Sequence, residues 1–240
     1  TSPLGQLRGA ARSEEKGGAR GMAGRGARAP SKMTGRMVTL SKTMSWLLRH
    51  GAGQAGVRVG EDGSVRVDEM LALPKFKGYS REEVAEVVAN NEKQRFAVSG
   101  AGADWSVRAH QGHSQKVASL ITGDQGLTRL LTPPADPVLH GTFREAWDKI
   151  KGEGLKRMAR QHIHLTDLHK PSEQGQVSGF RASCQVIVTI DVAQAMADGV
   201  VFLRSGNGVI LTEGVAGCLP AKYISGATDR EGRSLLEKEE

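Results

Sequence analysis

The hydrophobic period of this 240-residue chain changes part-way along, and that change restricts its fold more than any other feature. Before about residue 117, apolar residues recur at helical spacing. Leu40, Met44, Leu47 and Leu48 fall at i, i+4, i+7 and i+8, and Val84, Val87 and Val88 share one face. Beyond residue 137 short alternating or β-rich runs dominate, such as Gln161–Leu165, Gln185–Ile190 and Val209–Thr212. The stretch between, 118–136, carries Gly123, Gly126, Pro133 and Pro134 with little periodicity and reads as a linker. Such a chain is predicted to be α+β, a helical lobe over 38–117 followed by a largely antiparallel sheet over 137–226.

Local signals refine both halves. Thr39 or Ser41 can cap the first helix, Gly51 is expected to end it, and Val67–Leu73 reads as a second short helix. Ser80-Arg81-Glu82-Glu83 is a capping-box pattern opening a helix that stops near Asn90-Asn91. Arg95–Ser99 and Trp105–Ala109 flank a Gly-rich tip and predict a β-hairpin, so three short helices and a hairpin form a winged-helix-like module. In the second half, Phe143, Trp147 and Ile150 predict a helix closed by Gly152 and Gly154, and Asp191 caps another. Alternation puts His162 and His164 on one strand face and Ile163 and Leu165 on the other.

Charge divides the chain differently. Residues 1–37 carry eight Lys or Arg, two Glu, eight Gly and no aromatic residue, which predicts a disordered basic arm. From Val38 onward 25 basic groups face 24 acidic ones, so any phosphate site there has to be a local cluster rather than a global field. Residues 227–240 end acidic and are expected to fray. No apolar run approaches the ~18 residues of a membrane helix. The beginning of the chain lacks a secretory pattern. Cys184 and Cys218 form neither a C-x-x-C pair nor a metal-ligand spacing. A reducing compartment, cytosol or nucleus, is expected, as is a monomer, since no long apolar seam is visible.

Several short runs combine Arg or His with Gly and hydroxyl residues in ways a core does not need. They are Leu47-Leu48-Arg49-His50-Gly51-Ala52, Lys93-Gln94-Arg95-Phe96, Gln111-Gly112-His113-Ser114, His140-Gly141-Thr142, Arg160 ahead of His162-Ile163-His164-Leu165, and Ser178-Gly179-Phe180-Arg181. Each has a plain reading alone. Arg49 and His50 could satisfy helix-end carbonyls, Arg95 could be a solvated strand edge, and His162 with His164 could bind a metal, although no third ligand is suggestively spaced. His113 reads as structural, Cys184 as a buried small residue, and Arg204 as touching RNA or nothing.

In this order, and with Asn207-Gly208-Val209-Ile210-Leu211-Thr212 near the end, the runs resemble the RNA 2′-phosphotransferase family of the KptA type, from about Leu40 to Tyr223. The resemblance implies removal of an internal RNA 2′-phosphate, a splice-junction phosphate of tRNA, with NAD consumed as co-substrate. The phosphate first displaces nicotinamide to give ADP-ribosylated RNA. Transesterification then yields 2′-OH RNA and ADP-ribose 1″,2″-cyclic phosphate. The family's phosphate-handling group maps to Arg49, His50, Arg95 and Arg160. Its NAD-binding residues map to His140, Gly141, Thr142, His164, Leu165, Ser178, Gly179 and Arg181. No metal is implied, and the second lobe would be ADP-ribosyltransferase-like; no G-x-G-x-x-G follows a strand. Two departures are visible: Val107-Arg108-Ala109-His110 where the family often has Ile-Arg-Ala-Asn, and Ser178-Gly179-Phe180-Arg181-Ala182 where Ser-Gly-Met-Arg-Ser is usual. The alternatives are an ADP-ribosyltransferase acting on RNA or DNA phosphate ends and a non-catalytic winged-helix RNA-binding protein.

Overall fold

The computed structural model describes residues 33–91, 93–167 and 183–236, all within one compact unit, Lys32–Glu240. Helix α1 spans Gly35–Trp46, earlier than the sequence suggests. Its cap is Thr34, whose hydroxyl accepts from the Met37 amide, rather than Thr39 or Ser41. Thr39 and Thr43 instead donate back to carbonyls one turn earlier. The last residues of the expected arm are therefore folded: Met37 is buried and Arg36 pairs with Glu83 while lying over the Tyr79 ring. The rest of the arm, residues 1–32, lies outside the described residues.

Gly51 does not end the helix. The chain continues through a π-helical turn, Leu47–Gly51, into α2 (Ala52–Ala55), which stops at Gly56 with φ +68°. The Trp46 ring explains Gly51: it lies so close that an added Cβ would sit 2.6 Å from the ring. Glycine supplies a flat surface there, not a terminus.

The remainder of the helical part follows in order: β1 (Val65–Arg66), α3 (Val67–Leu71), a 3-10 turn at Pro74–Phe76, α4 (Arg81–Ala89), β2 (Phe96–Ser99), β3 (Ser106–Ala109) and α5 (Gln115–Ala118). Antiparallel pairing orders the small sheet β1-β3-β2, with Phe96 opposite Ala109 and Val65 opposite Val107. Leu40, Met44, Leu47, Met70, Phe76, Val84, Val87 and Val107 make its core. The capping box at the start of α4 is complete: Glu83 N donates to Ser80 Oγ, and Ser80 N donates to Glu83 Oε2 at 2.9 Å. Because Glu83 also holds Arg36, the same box ties α4 to α1. Ser80→Ala is expected to lower stability by about 1 kcal/mol, read as an earlier urea midpoint with unchanged slope.

The sheet-rich part contains β4 (Thr128–Arg129), β5 (Val138–Thr142), α6 (Arg144–Glu153), β6 (Leu155–Lys156), β7 (Ile163–Asp167), β8 (Val186–Ile190), α7 (Val192–Ala197), β9 (Leu203–Arg204), β10 (Ile210–Thr212), β11 (Cys218–Leu219) and β12 (Ile224–Asp229). Seven strands form an antiparallel sheet in the order β12-β8-β5-β7-β10-β9-β4, and β6 pairs with β11 apart from it. Trp147, Ile163, Leu165, Val186, Val188, Phe202 and Ile210 pack its core. Two departures from the sequence reading stand out. Residues 128–129 of the expected linker pair with β9 as an edge strand. Residues 227–229 of the expected fraying tail belong to β12 and pair with β8, and Ala227 is buried. Asp229 closes that end, accepting from the amides of Glu231 and Arg233 and from Arg233 Nε.

Candidate active site

The π-helical turn widens the backbone where Arg49 and His50 leave it, and such turns are often found at functional sites. Arg49 runs inward. Its Nε is buried with no hydrogen-bond partner among the described residues. Its guanidinium is held down to a pKa of about 10, first by burial and then by the positive charges of Arg95 and Arg160. Three cations from distant points of the chain thus act on one another. His50 lies at the surface beside them, and partial desolvation of its ring, then Arg160 and Arg49, favour its neutral form.

Arg95 is set by what precedes it. Gln94 takes a left-handed φ of +41°, and Arg95 Nη1 donates to Asn91 Oδ1 at 2.9 Å while Asn91 reaches Ser41. Arg160 is exposed just before β7, and its backbone bridges Ser114. The structure therefore brings together all four residues expected to handle phosphate.

On the sheet side, His140, Gly141 and Thr142 lie on β5 and His164 and Leu165 on the adjacent β7. His140 Nδ1 donates to the His164 carbonyl at 3.0 Å, so a neutral His140 ring keeps its proton there and leaves Nε2 an acceptor. Burial favours that neutral form. His164 is held down to about 3, by burial and then by Arg160 and Arg49, which places it within the field of the same arginines. The Leu165 side chain faces the core, leaving its main chain for the site. Ser178, Gly179 and Arg181 lie outside the described residues.

Other candidates have plainer places. His162 faces Glu213 at 3.8 Å, and no group of three or more His, Cys, Asp or Glu suited to a metal occurs among the described residues. Arg204 is engaged by Asp167 at 2.7 Å and by the Gly208 carbonyl. Cys184 is buried, which pushes its thiol up. His113 is buried and held down to about 4 by burial and Arg49.

The motif Gln111–Ser114 gives no local sign of a task for Gln111, Gly112 or Ser114; the structure places this loop between the helical part and the sheet. Ser114 N donates to the Arg49 carbonyl at 2.8 Å, and the His113 carbonyl accepts from Gln161 N at 3.0 Å. Asn207 adds a second link, donating to the Lys93 carbonyl at 3.1 Å. The signal available for it was the Gly206-Asn207-Gly208 turn.

A family model described as "RNA 2'-phosphotransferase, Tpt1 / KptA family" matches residues 35–214. The chain is 44% identical over 229 residues to tRNA 2'-phosphotransferase 1 of Bos taurus, covering 92% of this chain and 88% of that protein. It is likewise 44% identical to tRNA 2'-phosphotransferase 1 of Homo sapiens, over 85% of this chain and 80% of the other. A probable RNA 2'-phosphotransferase of Rhizobium leguminosarum is 36% identical over 78% of this chain and 92% of its own length. With the match spanning both the arginine cluster and the histidine-bearing strands, the chain belongs to the RNA 2'-phosphotransferase, Tpt1 / KptA family.

Proposed function

We propose that this chain is a transferase that removes the splice-junction 2′-phosphate from tRNA, using NAD⁺ as co-substrate in two steps. The observation that carries this reading is the convergence of Arg49, Arg95 and Arg160, with Arg49 Nε buried and unpaired. A guanidinium half-buried beside like charges, with its Nε closed to water, calls for an anion, and a phosphate accepts in the planar geometry that guanidinium donates.

The donor set also fits a dinucleotide. His140, Gly141, Thr142, His164 and Leu165 would hold NAD⁺, together with Ser178, Gly179 and Arg181. NAD⁺ supplies the ADP-ribosyl group that accepts the phosphate, giving nicotinamide and ADP-ribose 1″,2″-cyclic phosphate as by-products. The chain's own work is then orientation and charge stabilisation. Arg49, His50 and Arg95 bind the RNA phosphate from the helical side, and Arg160 meets it from the sheet side. Keeping His140 and His164 neutral avoids adding positive charge against a nicotinamide ring that is itself cationic. We read the helical part as a winged-helix-like lobe and the seven-stranded part as ADP-ribosyltransferase-like, acting as a monomer in cytosol or nucleus. No helix among the described residues is long and apolar enough to cross a membrane.

The test is to incubate the full chain with NAD⁺ and a short RNA bearing one internal 2′-phosphate, and to identify products by mass. Dephosphorylated RNA, nicotinamide and the cyclic phosphate are expected. RNA heavier by ADP-ribose, with no dephosphorylated product, would indicate a transferase that stops after one step. Unchanged NAD⁺ and RNA would indicate a binding protein.

A further inference from the structure

The four residues Gln111–Ser114 touch each of the parts that have to cooperate. Gln111 Oε1 lies 2.8 Å from His164 Nε2, a side-chain contact between residues 53 apart in the chain. Both groups are closed to solvent, Gln111 9% and His164 8% exposed, so neither can exchange this bond for water. A carboxamide oxygen only accepts, so the His164 proton sits on Nε2 and Nδ1 is left as a bare lone pair.

The next residue, Gly112, has φ +89° and lies directly against Arg49. A Cβ there would fall 3.3 Å from Arg49 Nε and 3.4 Å from Cδ and Cζ, and few side chains tolerate that backbone conformation. Ser114 then fixes Arg49 through its carbonyl and Arg160 through a backbone bridge, reinforced by Gln115 N donating to the Ala159 carbonyl at 3.2 Å. One short loop therefore sets Arg49, Arg160 and His164 relative to one another.

We propose that Gln111 is a positioning residue: it locks His164 in the Nε2–H tautomer and fixes that ring's placement against the arginine cluster. Gln111 itself touches neither reacting group; it acts through His164. Burial of the ring and the nearby positive charges of Arg160 and Arg49 keep the imidazole neutral, so the tautomer, rather than the charge, is what remains to be set. The kinetic consequences rest on the reaction proposed above, whereas the tautomer itself does not.

Two variants and two readouts test this. Nitrogen-15 spectra of histidine-labelled protein are expected to show His164 with Nε2 protonated and Nδ1 bare. Gln111→Met keeps the volume but removes the acceptor. It is expected to lose that single-tautomer signature and to lower kcat/KM for NAD⁺ between about ten- and a hundredfold, the range for leaving one buried donor unsatisfied. KM for the RNA should move much less.

Gln111→Glu restores an acceptor, so it is expected to keep the Nε2–H signature and recover part of the lost rate at pH 8. Its carboxylate would also favour the imidazolium, adding an acid limb to the NAD⁺ pH profile that the parent chain lacks. A purely structural glutamine would produce no such limb. The proposal is overturned if Gln111→Met retains the Nε2–H signature, or if its kcat/KM for NAD⁺ stays within twofold of the parent. If the methionine variant does not fold, loss of the Nε2–H signature in Gln111→Glu overturns it instead. A parent chain that consumes no NAD⁺ would refute the reaction, while the nitrogen spectra would still decide the role of Gln111.

Discussion

Arg160→Ala is expected to uncouple the two steps, releasing nicotinamide while RNA heavier by ADP-ribose accumulates. In the first step of the proposed reaction an anionic phosphate attacks and a neutral amine leaves, so the negative charge disperses and orientation dominates. In the second, an alkoxide-like oxygen attacks the same phosphorus and negative charge concentrates there, which a fixed guanidinium stabilises. Arg160 is exposed, comes from the sheet side next to the histidine-bearing strands, and is anchored by backbone pairing with Ser114. On the proposed reaction, that placement would let it follow the phosphate once the ribose is attached. Loss of a preorganised donor of this kind costs roughly a hundred- to a thousandfold in rate. The second step should bear that loss, and the first should fall by no more than about tenfold. Arg49→Ala, by contrast, should suppress both steps of the proposed reaction, because its Nε is a buried donor with no hydrogen-bond partner among the described residues. Single-turnover assays with labelled RNA separate the steps, and an equal fall in both for Arg160→Ala would refute this division.

The second large effect is on stability in acid. His113 and His164 titrate near pH 4 and 3 in the folded chain, both chiefly through burial, against about 6.5 when unfolded. Between those limits the unfolded chain binds protons that the folded chain refuses, so stability declines as pH falls below about 6.5 and is level above it. Each ring should contribute a loss of about 2 kcal/mol by pH 5. His50, His110, His140 and His162 are shifted in the same direction and steepen the decline. Urea midpoints measured from pH 7.5 to 5 should drop steadily, and a midpoint independent of pH would show that these rings are solvated or paired.

Much of the fold was legible because its signals are local. The Ser80–Glu83 box and the Asp191 cap each depend on residues within one turn, and each has its expected form. What escaped depends on distant partners. Gly51 reads as a stop by every local rule, yet its role is set by the ring of Trp46. The polar segment after Ala227 reads as a loose end, yet β8 offers it a partner and Asp229 gathers its turn. The site divides in the same way. Motif order nominates the arginines and histidines, whereas the task proposed for Gln111 rests on a contact across 53 residues that no spacing rule encodes.

The bonds that join the helical part to the sheet carry a consequence for the substrate. Gln111 to His164, Gln161 to His113, Gln115 to Ala159 and Asn207 to Lys93 all cross between the two parts. Swinging the two parts apart would break every one, so together they behave as a fixed mould rather than a jaw. If the chain acts on RNA as proposed, the work of adaptation falls on that substrate, whose sugar must turn its phosphate outward into a shape already cast. A strand free to twist at that nucleotide will seat more readily than one held stiff by its own base pairs.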